Sequence, residues 1–599
     1  MQKPPLAFVV LLALFPETTA QTPKVKPGPS QPRSTLCTKP VALDTLKQQM
    51  ALARTIDDPV GRIAVQLRVS DSLWPADPVQ AKAFFLETFD VAVQNFKANG
   101  SELKRSENHL TVESPDQRFV VITAFAKRDP ATARKLASQV LEDDSRSATM
   151  TSSNLQDGGV QAQKLLNVAM MLVTEDPANA VNFARASLRY PASLYLSMFL
   201  YNLARTNRSL ANQLYREALL AYRERPMDQF LYLSSFPFGN DREAGDMLAW
   251  TTYSVPSGFL PDPDLQRLFL TTLLARANNA QEVVPGTVPD DSLSDAAQMW
   301  LALSRLEDKV KEFLPDLLDD SIAAKERLHV MLNPASQERT RGAFGKDKVP
   351  VKSFDEQVEA AEKLSDVSER DGALAQAVIN SSNEQTVERV LEVIDKISET
   401  SVRETLTNWF LFYRSQRLIG EKKLIEAKKL ASKLDALDQR AYVYSQIAEV
   451  SLKQGEDQSE GRQILNEVSD AVNKAPKTVV TARVVLALAY QYAQIDKNRG
   501  IEELTNAVRL INSIEKPDFS QDWVSMKIEG KLIGVYGGFY TPGFSPPTAF
   551  KEVSKIDFDS VLVLAGTFMD KTLRASTTVA VIEPCLENQK IKTVNRKTE

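Results

Sequence analysis

The sequence predicts an all-α protein, an α-α superhelix of antiparallel helix pairs built as two solenoid-like arrays. Two recurring patterns and one scarcity lead to this fold class. An Asp-Pro box returns along the first half of the chain, and an aliphatic-to-arginine pattern returns along the second. Only 22 glycines occur in 599 residues, which disfavours turn-rich β architectures and glycine-loop nucleotide folds.

From the N-terminus, residues 1–20 read as a secretory signal. Lys3 precedes the apolar run Leu6 to Phe15, and small residues end at Ala20. Ten apolar residues are too short for a bilayer, which needs about 20, so no transmembrane segment is expected once the signal is removed. Residues 21–39 are rich in proline and cations and read as an extended linker.

The first array is expected over 40–332. Its boxes are Leu73, Asp77, Pro78, Ala81; Phe125, Asp129, Pro130, Ala133; and Leu172, Asp176, Pro177, Ala180, with Leu203, Asn207, Ala211 as a copy without the proline. Three, four and eight positions after each alanine come Phe84, Phe85, Phe89; Leu136, Ala137, Leu141; Phe183, Ala184, Leu188; and Leu214, Tyr215, Leu219. That spacing is the buried stripe of an amphipathic helix. Asp or Asn followed by Pro is a helix start, because the side-chain oxygen accepts first-turn N–H groups and proline has none to satisfy. Asp129, flanked by Lys127 and Arg128, is therefore a cap and not a catalytic acid. Polar insertions at Lys97 to Arg118 and Glu142 to Gly159 account for the uneven spacing of the boxes.

A stretch rich in Pro, Gly and cations, 333–354, reads as a linker, with the second array over 355–599. There the pattern is Ala361, Leu364, Arg370; Ile394, Ile397, Arg403; Ala431, Leu434, Arg440; and Ala565, Phe568, Arg574. The first three copies start 33 and 37 residues apart, the period of a helix pair. The stretch Arg417 to Glu456, with its Gly-Glu turn and small Ala427 and Ala448 among large residues, resembles tetratricopeptide-like repeats. The resemblance covers about 355–519 and lacks the family's full set of consensus residues in register. It implies stacked helix pairs with a concave binding surface. The arginines read as covers for the turns or as bridges to carboxylates; a ladder for an anionic partner is the other reading.

Chemistry-bearing constellations are few. His109 and His329 lack the neighbours of a zinc site, and neither a nucleophile elbow nor a phosphate loop appears. Adjacent acids such as Asp57-Asp58 and Asp319-Asp320 point apart in any regular structure and make poor glycosidase pairs. No catalytic residue, metal site or cofactor is assigned. The formal net charge of -5 gives no sign of a nucleic-acid partner.

The candidate binding residues are Trp523, Tyr536, Phe539, Tyr540 and Phe544, in and just before an aromatic Gly/Pro loop at 535–550. They form either an exposed contact surface or a cap over the end of the array. A second, weaker candidate is the pair of loops within 234–266 around Trp250. The two cysteines, Cys37 and Cys585, can bond in an oxidising compartment, and spacing alone leaves the bonded and free states open. Their low number fits a bacterial periplasm or medium. The expectation is an exported, non-catalytic protein that scaffolds or binds a protein or peptide in a bacterial envelope. An α/α-toroid carbohydrate-active enzyme and a structural protein without a ligand are the alternatives.

Overall fold

A computed structural model describes residues 36–100, 103–105, 111–113, 116–148, 157–239, 255–256, 258–280, 294–332, 337, 353–381, 385–453, 458–519, 523–531 and 533–595. The signal, the Pro-rich stretch through 35, His109, Trp250 and most of the 333–354 linker lie outside the described residues.

The described chain is all-α and solenoid-like, with consecutive helices packed antiparallel. The first half comprises α1 (Lys39–Ala53), α2 (Pro59–Leu73), α3 (Pro78–Asn99), α4 (Gln117–Ala126), α5 (Pro130–Ala148), α6 (Asp157–Leu172), α7 (Pro177–Ser187), α8 (Leu194–Thr206), α9 (Arg208–Tyr222), α10 (Met227–Leu231), α11 (Ser235–Phe238), α12 (Pro263–Asn278), α13 (Asp295–Phe313) and α14 (Leu318–Met331). The second comprises α15 (Phe354–Glu362), α16 (Val367–Ser381), α17 (Val387–Ile394), α18 (Thr400–Gly420), α19 (Leu424–Ala431), α20 (Leu437–Lys453), α21 (Gln458–Asn473), α22 (Val479–Ile495) and α23 (Lys497–Asn512), then α24 (Pro546–Val553), α25 (Phe558–Ala565) and α26 (Lys571–Asn595). Two antiparallel hairpins interrupt them. Strands β1 (Leu103–Arg105) and β2 (Thr111–Glu113) fall in the first polar insertion, and β3 (Trp523–Glu529) and β4 (Gly534–Tyr540) come after α23.

The Asp-Pro boxes start helices for the physical reason the sequence suggested. Asp77, Asp176 and Asn207 accept the backbone N–H of Gln80, Asn179 and Leu210, and Asp129 accepts that of Thr132 at 3.0 Å. Each bond satisfies a donor that has no partner within the helix. The same device caps α2 with Asp58-Pro59 and α12 with Asp262-Pro263. Those two copies lack the flanking apolar and alanine positions, so the sequence pattern passed over them. Downstream of the four boxes the stripe residues are buried, except Phe84, which is half-buried with the Arg54 guanidinium 5.9 Å from its ring centre. Phe85 stacks on Phe125 at 4.7 Å, and Trp74 meets both edge-on, tying the first box to the helix before the second. One continuous apolar core runs from Ile63 to Leu332.

In the second half, one core links Phe354 to Phe544 and another joins α22 and α23 to α24–α26. The recurring arginine takes different partners: Arg403 Nη1 donates to the Ile397 carbonyl of its own turn at 2.8 Å, while Arg370 Nη2 donates to Ser398 Oγ at 2.8 Å. Ala53, Ile56 and Arg62 repeat the spacing near the N-terminus. There Arg62 donates twice to the Ile56 carbonyl, at 2.9 and 2.6 Å. Arg62 and Arg403 thus bind their own turns in the same way, although the spacing also occurs in the first half, as at Ala180, Phe183 and Arg189.

The two ends of the described chain meet. Helices α1 and α2 pack on α26, burying Leu46, Met50, Val65 and Val69 against Ala575, Val579 and Ile582. Arg68 pairs with Glu583 at 2.9 Å, Lys571 donates to the Thr55 carbonyl, and Cys37 is disulfide-bonded to Cys585. At this seam a Cβ on Gly61 would lie 2.9 Å from Thr572 Oγ1, so only glycine lets α2 approach α26 this closely.

The segment expected as a Gly/Pro loop at 535–550 is instead strand β4, a single 3-10 turn at Pro542–Phe544 and the start of α24. In β3, Val524, Met526 and Ile528 are buried and the intervening residues are exposed or half-buried, which is a period-two pattern. The glycines of β4 hid its half of the hairpin, since glycine is depleted in strands.

Candidate functional site

The β3–β4 hairpin lies across α18 and α20. Its buried face sets Val524, Met526 and Ile528 into the helical core. Its register pairs Trp523 with Tyr540, Ser525 with Gly538, and Lys527 with Tyr536. Gly530 N donates to the Ile533 carbonyl across the turn. Alternation from there makes 528:535, 526:537 and 524:539 the hydrogen-bonded pairs, and sends the N–H and C=O groups of 525, 527, 529, 536, 538 and 540 outward from the ladder. On the β3 side, helices meet this edge: Gln439 donates to the Ser525 carbonyl at 2.9 Å, and Glu529 N donates to Thr405 Oγ1 at 3.2 Å. The β4 edge lies across the ladder from these contacts.

Of the five expected binding residues, four divide between core and surface. Phe544 is buried, and Phe539 is half-buried with its ring 5.0 Å from Phe412 and 5.8 Å from Tyr442. These two hold the hairpin and the 3-10 turn after it onto the helices, as a cap would. Trp523 and Tyr540 are 42% and 62% exposed and directly opposite one another, on the solvent face. The Trp523 indole lies across Gly538, where a Cβ would be 2.8 Å from Cδ1. Tyr536 occupies the position opposite Lys527. Sequence reasoning grouped the five by proximity in the chain; the two-residue alternation separates them.

Nearby, Asp438 opens the segment that leads through Gln439 to β3. Burial pushes its carboxyl above the ordinary range, partly offset by the Gln439 N–H. Elsewhere, Arg118 is buried against Asp116 and Asp144 at 2.8 Å and stacks 3.2 Å from the Phe96 ring centre, while Lys164 also binds Asp116 at 2.8 Å. Burial alone would raise the Asp116 carboxyl, but the hydrogen bonds from Arg118 and Lys164 and the Lys164 charge hold it below the usual range. It stays ionised as a structural anchor for α4 and α6. Asp129 behaves similarly: burial opposes ionisation, yet Lys82 at 2.6 Å and the Thr132 N–H and hydroxyl bring it down to about 2. A carboxyl so acidic does not donate protons near neutrality.

A feature that sequence reasoning missed lies at the seam. A cavity of about 910 Å³ opens between α2, the residues after α23, and the starts of α24 and α26. Its lining comes from parts of the chain some 500 residues apart, so no local motif announces it. Cys37 and Cys585, the two cysteines, were the signal that could have led there. Among the described residues no cluster of His, Cys, Asp and Glu has the geometry to hold a metal ion. Neither a protein-family description nor a curated protein sequence matches this chain.

Proposed function

We propose that this is an exported, non-catalytic helical-repeat protein of the bacterial envelope, related in repeat type to tetratricopeptide-like arrays. On this reading it holds a protein or peptide partner on the β3–β4 hairpin. The observation that carries the proposal is the solvent face of that hairpin, where Trp523 and Tyr540 stand exposed and paired beside the outward edge of β4. Rigid aromatics give contact area at low entropic cost. A strand edge with open N–H and C=O groups accepts an extended segment as an additional strand, the main chain supplying affinity and the rings supplying specificity. The buried Phe544 and the half-buried Phe539 keep this surface rigid. Export is supported by the N-terminal apolar run and by the bond between Cys37 and Cys585, which suits an oxidising compartment.

The test is Trp523→Ser with Tyr540→Ser. Both rings are solvent-facing, so the melting temperature should hold within about 2 °C, while partners cross-linked to the wild type in its native envelope should be lost. Recovery of the same partners with the double variant would overturn the proposal.

A further inference from the structure

The seam between the two ends of the chain has the dimensions of a ligand site. Its cavity of about 910 Å³ lies toward the upper end of small-molecule pockets, which span roughly 300–1,000 Å³. One wall is a face of α2, with Val60, Ala64 and Arg68 a turn apart. A second is the segment from Ser513 to Phe519 after α23, and the third combines Pro546 and Pro547 of α24 with the start of α26. Part of the apolar lining stands in water: Val60 is 41% and Met569 76% exposed, while Val65, Ile511 and Leu573 are buried. Apolar side chains left in water around a concavity mark a place where another apolar body sits.

The charges decide what kind of body. Carboxylates of Asp58, Glu515, Asp518 and Asp570 line the cavity against two cations, Arg68 and Lys516. Arg68 is already bound to Glu583 at 2.9 Å, and Glu583 also takes Lys551 at 3.0 Å. Asp58 and Asp570 accept first-turn N–H groups of α2 and α26, which fixes both carboxylates in place. A concave wall with an excess of one sign concentrates the opposite sign, here with Asp58, Glu515 and Asp518 exposed to solvent. Phe519 adds a ring of the kind that binds cations, with Arg483 5.9 Å from its centre.

We propose that the seam cavity binds an organic cation with an apolar body. Because its walls come from both ends of the chain, binding and closure of the seam are thermodynamically linked: the ligand favours the closed form, and opening the seam removes the site. This site is separate from the hairpin and does not depend on the function proposed there.

The probe is rhodamine 6G, a cationic dye with an apolar ring system, followed by fluorescence anisotropy, with anionic fluorescein as the counterpart of similar size. The cationic dye should bind saturably at one site, at least about tenfold more tightly than fluorescein. Ala64→Trp, which fills the cavity from an exposed position on α2, should weaken it about tenfold or more at unchanged melting temperature. Lys516→Glu should tighten binding about threefold to tenfold and Glu515→Lys should weaken it by a similar factor, the effect of one charge at contact range in a partly screened site. Cys37→Ser with Cys585→Ser should weaken binding as well, whereas Trp523→Ser with Tyr540→Ser should leave it unchanged. The proposal is overturned if the cationic dye shows no saturable binding, if fluorescein binds equally well, if Ala64→Trp leaves the affinity unaltered, or if the hairpin variant abolishes binding.

Discussion

Removing the disulfide tests how the ends of the chain are held. The bond spans 548 residues, so nearly the whole chain becomes one covalent ring. In the chain-entropy limit, closing a loop of that length is worth about 6 kcal/mol at 25 °C, and measured values for native bonds usually fall nearer 2–5 kcal/mol. The non-covalent seam remains after reduction: the apolar packing of α1 and α2 on α26, and the Arg68–Glu583–Lys551 ion cluster. The large cores over 63–332 and 354–581 do not pass through the bond. Cys37→Ser with Cys585→Ser should therefore leave the protein folded while making the seam open more often. Hydrogen exchange of the α1 amides between Ala42 and Ala53 reads that opening directly. A loss of about 2–5 kcal/mol corresponds to a fall in protection of roughly 30-fold to 4,000-fold. Protection in α12 and α13, far from the seam in the chain and inside the first core, should change little. Equal protection of α1 in the bonded and unbonded proteins would refute the reasoning, as would a loss that begins in α12.

Other expectations rest on single contacts. Asp129→Asn keeps the acceptor for the Thr132 N–H but loses the partly exposed ion pair with Lys82; chemical denaturation should show a cost of about 0.5–1 kcal/mol. Asp129→Ala loses the cap too and should cost about 1.5–2 kcal/mol. Because the folded carboxyl lies at about 2, below its unfolded value near 4, its contribution is complete above pH 4 and is lost as the pH falls toward 2. The pH dependence of stability should flatten over that window in Asp129→Asn. Gly61→Val places a branched side chain against Thr572 and should open the seam, with α1 protection falling roughly 5-fold to 140-fold as overpacking costs some 1–3 kcal/mol. Phe539→Ser should lower the melting temperature by several degrees, since it removes a ring packed on Phe412 and Tyr442, while Trp523→Ser should not.

The helical architecture was legible because its signals are local. A cap, a proline and a stripe of apolar residues fall within a dozen positions of each other, and the boxes at Asp77, Asp129, Asp176 and Asn207 each start a helix. The reading of Asp129 needed one addition, the ion pair with Lys82, whose partner lies 47 residues away. The hairpin was less legible. Gly534, Gly537 and Gly538 suppress the strand pattern of β4, and only β3, with Val524, Met526 and Ile528, shows the alternation clearly. Consequently Trp523 and Tyr540 were grouped with Phe539 and Phe544, although the pleat sends the first pair to solvent and Phe539 toward the core. Least legible was the seam. Its cavity and its ion cluster join residues from opposite ends of the chain, such as Arg68 and Glu583, and the pair Cys37 and Cys585 was the trace of that meeting in the sequence.

The functional proposal is tested most directly by placing a photo-cross-linking amino acid at position 540 in the native envelope, with position 563 on α25 as an equally exposed control. A discrete partner should be captured from 540 and not from 563. Tyr540→Phe should preserve the capture from a cross-linker placed instead at Trp523, and Tyr540→Pro, which removes an outward N–H of β4, should abolish it. Capture of the same proteins from both positions, or capture undiminished in Tyr540→Pro, would contradict strand addition at this hairpin.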